Sequence, residues 1–242
     1  MNSTCALRLR NSEDFIMTYS VPESVNTDLS QPAIVHSAEQ EWSPSPTAGV
    51  DRRFLERDGA EVARASSVVR YAPGSAFPEH THDMGEEYLV LEGVFSDGDG
   101  DFRTGCYVRN PPGSKHAPFT KDGCTIFVKL RQFQEDDRQT VHKHIDDLAY
   151  EPTGTDGLTR AQLHQDVSET VVSERLAPGT NWADRGDFSG EEIFVIEGEL
   201  LYGDTLCGAG TWLRFPAGAE LPIQSPSGCR IWAKRGHLGH LT

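Results

Sequence analysis

Four side chains in the N-terminal half of the chain have the types and the spacing of a metal site. His80 and His82 are two residues apart, Glu86 follows four residues later, and His116 follows a proline–glycine turn. Residues i and i+2 of a strand point to the same face, and the intervening "DMG" predicts a bend that turns Glu86 back towards both histidines. Neutral imidazoles and one carboxylate suit Zn, Fe, Mn, Ni or Cu and do not select among them. The sequence therefore predicts one divalent transition metal held by His80, His82, Glu86 and His116.

Glu87 is an alternative to Glu86 as the carboxylate ligand. Strand alternation places Glu87 on the opposite face, so we expect Glu86 to be the ligand. A turn shorter by one residue would exchange the two roles, because a one-residue slip flips every side chain. A second pair, His142 and His144, has no glutamate or later histidine at a suitable spacing and is interpreted as part of a solvated linker.

An internal repeat organises the chain. "GEEYLVLEG" at Gly85 matches "GEEIFVIEG" at Gly190, and "GCTIFVKL" at Gly123 matches "GCRIWAKR" at Gly228. The blocks beginning at Ala72 and Gly105 recur at the same constant offset of 105 residues. The chain is therefore predicted to contain two copies of one module.

The second copy does not repeat the metal-binding residues. At the same offset His80, His82 and His116 become Arg185, Asp187 and Leu221, and only the glutamate remains, as Glu191. A buried, unpaired carboxylate would be costly, and we hypothesise that Arg185 pairs with Glu191 in place of a metal.

The segments within each copy are short, rich in β-branched and aromatic residues, and end at glycine or proline. An all-β sandwich or barrel is the expected fold of each copy. "YLVL" and "IFVI" are apolar at every position, which predicts strands covered on both faces, by the barrel interior and by the sister copy or another subunit. Expected domains are residues 1–140, an N-terminal extension plus the metal-binding copy, and residues 141–242, the degenerate copy. The extension could add a strand to a sheet, and the region from Arg131 to Gly157 reads as a surface connection.

Composition limits the partners. The net charge is −15, which disfavours direct nucleic-acid binding. No apolar run approaches the length of a membrane span or a signal peptide, so a cytoplasmic protein without membrane contact is expected. The five cysteines form no C-x-x-C pair and are expected to be reduced and mostly buried.

The two motifs G-x5-H-x-H-x3-E-x6-G, from Gly74 to Gly93, and G-x5-P-x-G-x2-H, from Gly105 to His116, resemble the two-part signature of the cupins. The asparagine that usually follows the second motif is replaced here by Thr120. The resemblance implies two tandem RmlC-like jelly-roll barrels, a bicupin, with the metal inside the first barrel.

The stretch from Val69 to Phe133 resembles more closely the cupin domain of ChrR-type anti-sigma factors. That resemblance implies a zinc-binding module for sensing stress and regulating transcription, with a sigma factor as protein partner. The His/Cys zinc module that grips the sigma factor is not matched, since Cys5 and His36 show no H-x3-C-x2-C pattern.

The alternative is a metal-dependent dioxygenase acting on diketone-like or phenolic ketone substrates. Four protein ligands fill a tetrahedral zinc but leave two positions on an octahedral iron. We expect zinc and a sensing role first. The sequence leaves open catalysis, the small-molecule ligand and a homodimer.

Overall fold

The computed structural model of the protein describes residues 21–60, 62–182, 189–219 and 222–241. These residues form antiparallel strands and two short 3-10 helices, Ser37–Glu39 and His237–His240, with no α-helix in the described part of the chain. The all-β prediction is confirmed. None of these described helices is long and apolar enough to span a bilayer.

The described residues form twenty-one strands. The first eleven are β1 (Ser24–Val25), β2 (Ala33–His36), β3 (Ser43–Pro44), β4 (Val50–Asp58), β5 (Arg64–Tyr71), β6 (His80–Thr81), β7 (Glu86–Asp97), β8 (Gly100–Arg103), β9 (Cys106–Asn110), β10 (Lys115–His116) and β11 (Cys124–Leu130). The others are β12 (Val141–His144), β13 (Glu151–Pro152), β14 (Leu158–Gln165), β15 (Thr170–Leu176), β16 (Thr180–Trp182), β17 (Glu191–Tyr202), β18 (Thr205–Gly208), β19 (Thr211–Phe215), β20 (Ile223–Ser225) and β21 (Cys229–Arg235).

The strands form two barrels with the same order. The main sheet of the first barrel runs β1-β4-β5-β11-β7-β9-β12, and that of the second runs β13-β14-β15-β21-β17-β19-β2. The small pair β16–β20 in the second barrel, where Asn181 lies opposite Gln224, corresponds at the offset of 105 to the bridge between Ala76 and Phe119 in the first. The structure thus shows two tandem copies of one jelly-roll barrel.

The two copies exchange strands. β2, which precedes the first barrel, pairs with β19 of the second, so that Ala33 lies opposite Arg214. β12, which follows the first barrel, pairs with β9, so that Val141 lies opposite Arg109. The N-terminal segment therefore adds a strand to a sheet, as anticipated. The segment expected to be a surface connection instead contains the two strands β12 and β13.

The repeat also extends further towards the N-terminus than the four matching blocks. β4 pairs with β5 as β14 pairs with β15, which makes Arg52 the counterpart of Arg160 at an offset of 108 residues. The offset changes from 108 to 105 because the β4–β5 hairpin of the first copy is three residues longer than the β14–β15 hairpin between these positions. Val62 and Ala63 lie in the turn of the longer hairpin.

Apolar side chains fill the space between the barrels. Phe127 stacks on Phe194 with ring centroids 4.4 Å apart, and Trp232 meets Phe127 edge-on at 5.1 Å. Leu89 belongs to this interface core, whereas Tyr88 belongs to the core inside the first barrel. The "YLVL" strand is therefore covered on both faces, and the second covering is the sister copy.

Buried ion pairs cross the same interface with near two-fold symmetry. Lys129 of the first copy donates to Glu192 of the second at 2.5 Å. Its repeat counterpart, Lys234, donates to Glu87 of the first copy at 2.6 Å. All four side chains are essentially inaccessible to solvent. Each copy thus neutralises a buried carboxylate of the other, which ties the two barrels together.

Cys106, Cys124, Cys207 and Cys229 are free thiols. Burial raises the pKa of Cys124 and of Cys229 to about 11. Both are equivalent core positions, as expected; Cys5 lies outside the described residues.

Candidate metal centre

The structure brings the four predicted metal ligands together in the first barrel. His80 and His116 are directly opposite each other in the β6–β10 pair, and Glu86 begins β7. The Nε2 atoms of His82 and His116 are each 3.4 Å from Glu86 Oε2. One potential ligand atom from each of the four residues lies within 4.8 Å of those from the others.

The bend before Glu86 depends on Gly85. This residue has φ = 76°, a left-handed conformation that favours glycine, and a Cβ there would overlap the Phe133 ring. The chain therefore turns sharply after His82, and Glu86 faces back towards the histidines.

Each histidine is oriented through its Nδ1 atom. His80 Nδ1 lies 3.0 Å from the Pro78 carbonyl oxygen, and His116 Nδ1 lies 2.8 Å from Asp97 Oδ2. Both partners are acceptors, so Nδ1 carries the proton and Nε2 keeps its lone pair. His82 Nδ1 is held at 3.0 Å by the Ser114 hydroxyl. This arrangement, with Nδ1 engaged and Nε2 available, is typical of metal-binding histidines.

The inward-facing nitrogens fit a metal ion. Nε2 of His82 and Nε2 of His116 are buried and have no hydrogen-bond partner in the described part of the chain. Buried polar atoms are usually paired, so two orphaned lone pairs beside a buried carboxylate need an external partner. A divalent cation satisfies both nitrogens and the negative charge of Glu86.

The same environment shifts the pKa values of His82 and His116 in opposite directions. Burial lowers the pKa of His82. Burial also opposes the charged form of His116, but the hydrogen bond to Asp97 and the charge of Glu86 outweigh it and raise the pKa of His116.

Glu87 faces away from the centre, as strand alternation predicted. Its carboxylate accepts hydrogen bonds from Tyr107 Oη at 2.6 Å and from Arg109 Nη1 at 3.0 Å, besides the one from Lys234. Glu87 is therefore part of the interface between the barrels.

A cavity of about 300 Å³ opens onto the four ligands, which form part of its wall. Most of the remaining wall is apolar and includes Phe77, Phe95, Ile126 and Val128. This volume is at the lower end of the range for small-molecule sites. A metal bound by the four residues would be reached from a space large enough for a small organic molecule.

The second barrel is filled where the first is open. Trp182 stands at the repeat position of Phe77, and Phe215 at that of Asn110, a residue that donates to Glu86 at 3.2 Å. Both aromatic side chains belong to a continuous buried apolar core.

Among the described residues, Glu191 pairs with Arg235, which was not predicted from the sequence. Arg235 Nε donates to Glu191 Oε1 at 2.7 Å, and Arg235 Nη2 donates to Glu174 at 2.7 Å. The guanidinium of Arg235 supplies positive charge beside Glu191, where the first barrel has its metal ligands. Arg185, Asp187 and Leu221 lie outside the described residues, so the proposed Arg185–Glu191 pair is not tested.

A second group with ligand-type atoms, Asp137, His164 and Asp166, lies near the junction of the two copies. Asp137 accepts from Arg109 at 2.5 Å, and Asp166 Oδ1 accepts from Ser168 and from the backbone of Glu169. Internal hydrogen bonds thus account for these carboxylates.

The side chains of His142 and His144 also contact protein groups. His144 Nε2 lies 2.8 Å from the Thr104 carbonyl oxygen, and its Nδ1 accepts from the backbone of Asp146. His142 packs edge-on against Phe102.

A scan against family models matches the ChrR cupin-like domain twice, over residues 30–134 and 138–239. The chain belongs to the ChrR cupin-like family. Each match begins just before the exchanged strand β2 or β12, so the cupin module includes the strand that it donates to its sister. No curated protein matched the chain in a sequence comparison.

Solved structures share the tandem cupin fold at low sequence identity. A dioxygenase described as putative, from Nostoc punctiforme, aligns with a TM-score of 0.72 and 14% identity over 85% of this chain and 82% of its own. A putative glyoxylate-induced protein from Pseudomonas aeruginosa gives 0.71 and 15% over 90% and 93%. The nickel(II) complex of the pirin YhhW from Escherichia coli gives 0.63 and 12% over 85% and 98%. At these identities the similarity concerns the fold alone.

Three residues that support the ligands were not predicted from the sequence. Asp97, Ser114 and Asn110 hold His116, His82 and Glu86 respectively. Ser114 and Asn110 occupy variable positions of the second motif, beside its fixed residues Gly113 and Pro111, and this place inside the motif offered a signal for them. Asp97 is at the far end of β7 and only the hairpin geometry brings it to His116.

Proposed function

We propose that the first barrel of this chain holds one divalent transition metal and acts as a metal-dependent enzyme of the dioxygenase type on a small molecule. The observation that carries this proposal is the cavity of about 300 Å³ whose wall includes all four candidate ligands. A purely structural metal site is closed by its protein ligands, whereas a catalytic site keeps an accessible side.

His80, His82, Glu86 and His116 would hold the metal. When bound by these four residues, an octahedral iron ion would keep two coordination positions, either for O2 and one substrate oxygen or for both oxygens of a diketone or a phenolic ketone. The protein's own contribution is orientation and exclusion of water. Asp97 and Ser114 fix the imidazole planes, and the apolar wall around Phe77 and Phe95 shields the reacting end of the cavity.

A second candidate is a zinc-binding sensing or regulatory module of the ChrR type. The family match favours it. In that case the four protein ligands would complete a tetrahedral zinc site, and the signal would act on the site by displacing one of them. A sigma factor would be the partner by family resemblance alone.

Metal analysis combined with oxygen uptake separates the two candidates. The purified chain is loaded in parallel with Fe(II) and Zn(II), and O2 consumption is followed with a diketone such as acetylacetone and with a hydroxylated acetophenone. We expect Fe-dependent uptake that His82→Ala abolishes and that His142→Gln leaves unchanged. Tight binding of zinc, with no uptake by the iron form on any of these compounds, would contradict the enzyme and favour the sensor.

A further inference from the structure

Arg52 lies on the wall of the cavity that contains the candidate metal centre. It is on β4, opposite Val69 of β5, and between Asp51 and Arg53, which face outward. Asp51 accepts from Arg70 at 2.7 Å, and the Arg53 guanidinium lies over the Trp42 ring at 4.1 Å. Arg52 makes neither an ion pair nor a side-chain hydrogen bond with any described residue.

Arg52 has no acidic partner among the described residues, although the chain carries 37 acidic and 22 basic residues. The two other arginines at the cavity are engaged, since Arg57 donates to the Ala60 carbonyl oxygen and Arg131 donates to Asp83 at 3.2 Å. A guanidinium presents a planar fork of donors that matches a carboxylate.

The second barrel contains an internal control for this position. Arg160 on β14 is the counterpart of Arg52, and Glu174 on β15 is the counterpart of Val69. Arg160 Nε donates to Glu174 Oε1 at 2.6 Å. The barrel that is filled therefore supplies its arginine with a carboxylate from its own chain, whereas the barrel with the cavity places a valine there.

We propose that Arg52 binds a carboxylate group of the molecule that occupies the first barrel, so that the ligand class is a small organic anion with an apolar body. The inference rests on the proposed function, because it names the ligand of the same site. The Glu174 carboxylate shows how an anion meets the equivalent arginine. The overall charge of −15 repels anions at long range, so selectivity for one has to come from a local cation.

Tyr71 is the neighbouring polar group on the cavity wall. Burial and the charge of Glu86 raise its pKa, so the phenol keeps its proton and serves as a neutral hydrogen-bond donor. A ligand carboxylate can thus meet two donors from adjacent strands while the rest of the molecule extends along the apolar wall.

Matched pairs of a carboxylate and its amide test this inference. Dissociation constants of acetate and acetamide, benzoate and benzamide, and phenylacetate and phenylacetamide are measured by calorimetry on protein of known metal content. We expect the wild type to prefer at least one carboxylate over its amide. Arg52→Gln should remove that preference, weakening the carboxylate ~10-fold or more, as expected for a lost charged hydrogen bond, with little change for the amide.

Arg70→Gln, on the outer face of the neighbouring strand, is the matched control and should keep the preference. An equal affinity of the wild type for every carboxylate and its amide would overturn the inference. So would an Arg52→Gln variant with the wild-type preference. Metal content is measured separately, so a chain that binds no metal defeats the proposed function, while the effect of Arg52 on selectivity can still be read from the same titrations.

Discussion

Glu86 and Glu87 are consecutive in the chain and serve opposite faces of one strand. Glu86 Oε2 lies 3.4 Å from the Nε2 atoms of His82 and His116, inside the first barrel. Glu87 Oε1 accepts from Lys234 at 2.6 Å, in the interface between the barrels. Strand alternation thus places the candidate metal centre directly behind the contact that holds the two copies together.

Changing Glu86 or Glu87 to glutamine should affect different properties, metal affinity in the first case and stability in the second. Glu86→Gln should lower metal affinity ~10-fold or more with little loss of stability, because it removes a ligand charge. Glu87→Gln should keep the metal but lower the free energy of unfolding by about 3 kcal/mol, because it leaves Lys234 and Arg109 with less compensating charge. Chelator competition and urea unfolding measure the two quantities. The assignment would be wrong if Glu87→Gln lost the metal and Glu86→Gln retained it.

Asp97 acts on the metal through His116. Asp97→Asn keeps the size of the side chain but weakens the hydrogen bond at 2.8 Å that orients the imidazole. We expect metal affinity to fall about 10–100-fold, the usual effect of removing such a supporting partner. Asp101→Asn on the neighbouring strand β8 is a useful comparison, since Asp101 contacts Ser96 rather than a ligand. Equal affinities of both variants and the wild type would contradict this role.

The buried ion pairs between the two barrels should contribute to stability in a way that depends on both partners. Lys129→Met leaves Glu192 buried beside fewer cations, and we expect a destabilisation of about 3–5 kcal/mol. Lys129→Met combined with Glu192→Gln should recover part of this loss, because the uncompensated charge is gone. Arg103→Met removes an exposed pair with Asp147 at 3.9 Å and should change stability by less than about 1 kcal/mol. Urea unfolding of these three variants and of Glu192→Gln alone provides the comparison, and a double variant whose effect equals the sum of the two single effects would rule out the coupling.

Acid should weaken the interface. Burial opposes the charged forms of Glu87 and Glu192, but Lys234 and Arg109 beside Glu87, and Lys129 and His237 beside Glu192, hold both pKa values below the ordinary 4.5.

Because these pKa values are lower in the folded state, their contribution to stability is complete above pH 4.5 and is lost as the pH falls through the lowered values. Burial raises the pKa of Glu56, so this residue contributes in the opposite direction and makes the free energy of unfolding depend less steeply on pH. We expect the urea concentration at the unfolding midpoint to decrease as the pH is lowered below about 4.5. The decrease should be smaller in Glu87→Gln. A wild-type midpoint that is constant down to pH 3 would contradict this.

The sequence was sufficient for those features that depend on local period and exact repetition. The repeat blocks, the β class and the opposite orientation of Glu86 and Glu87 all follow from spacing. The strand exchange did not follow, because β2 and β19 are far apart in the chain and their pairing is a tertiary contact. The N-terminal part of the repeat was missed because three additional residues in the β4–β5 hairpin shift its offset from 105 to 108.

Side-chain pairs that form because of the strand register could also not be predicted from the sequence. Arg235 reaches Glu191 because β21 lies directly beside β17, so residues that are distant in the chain become cross-strand neighbours. Arg52 and Arg160 are the same residue type at equivalent positions. They differ in the residue that lies opposite each of them on the neighbouring strand, Val69 or Glu174.

The most direct test of the candidate centre is the metal content of the chain together with the position of the ion. The protein is purified after expression with Fe, Zn, Mn and Ni supplied, analysed by mass spectrometry of the elements, and crystallised for anomalous diffraction. We predict one transition metal per chain, between His80, His82, Glu86 and His116, absent from His116→Ala and retained by His142→Gln. A wild type without bound metal, or an ion in the second barrel with nothing at these four residues, would contradict the account.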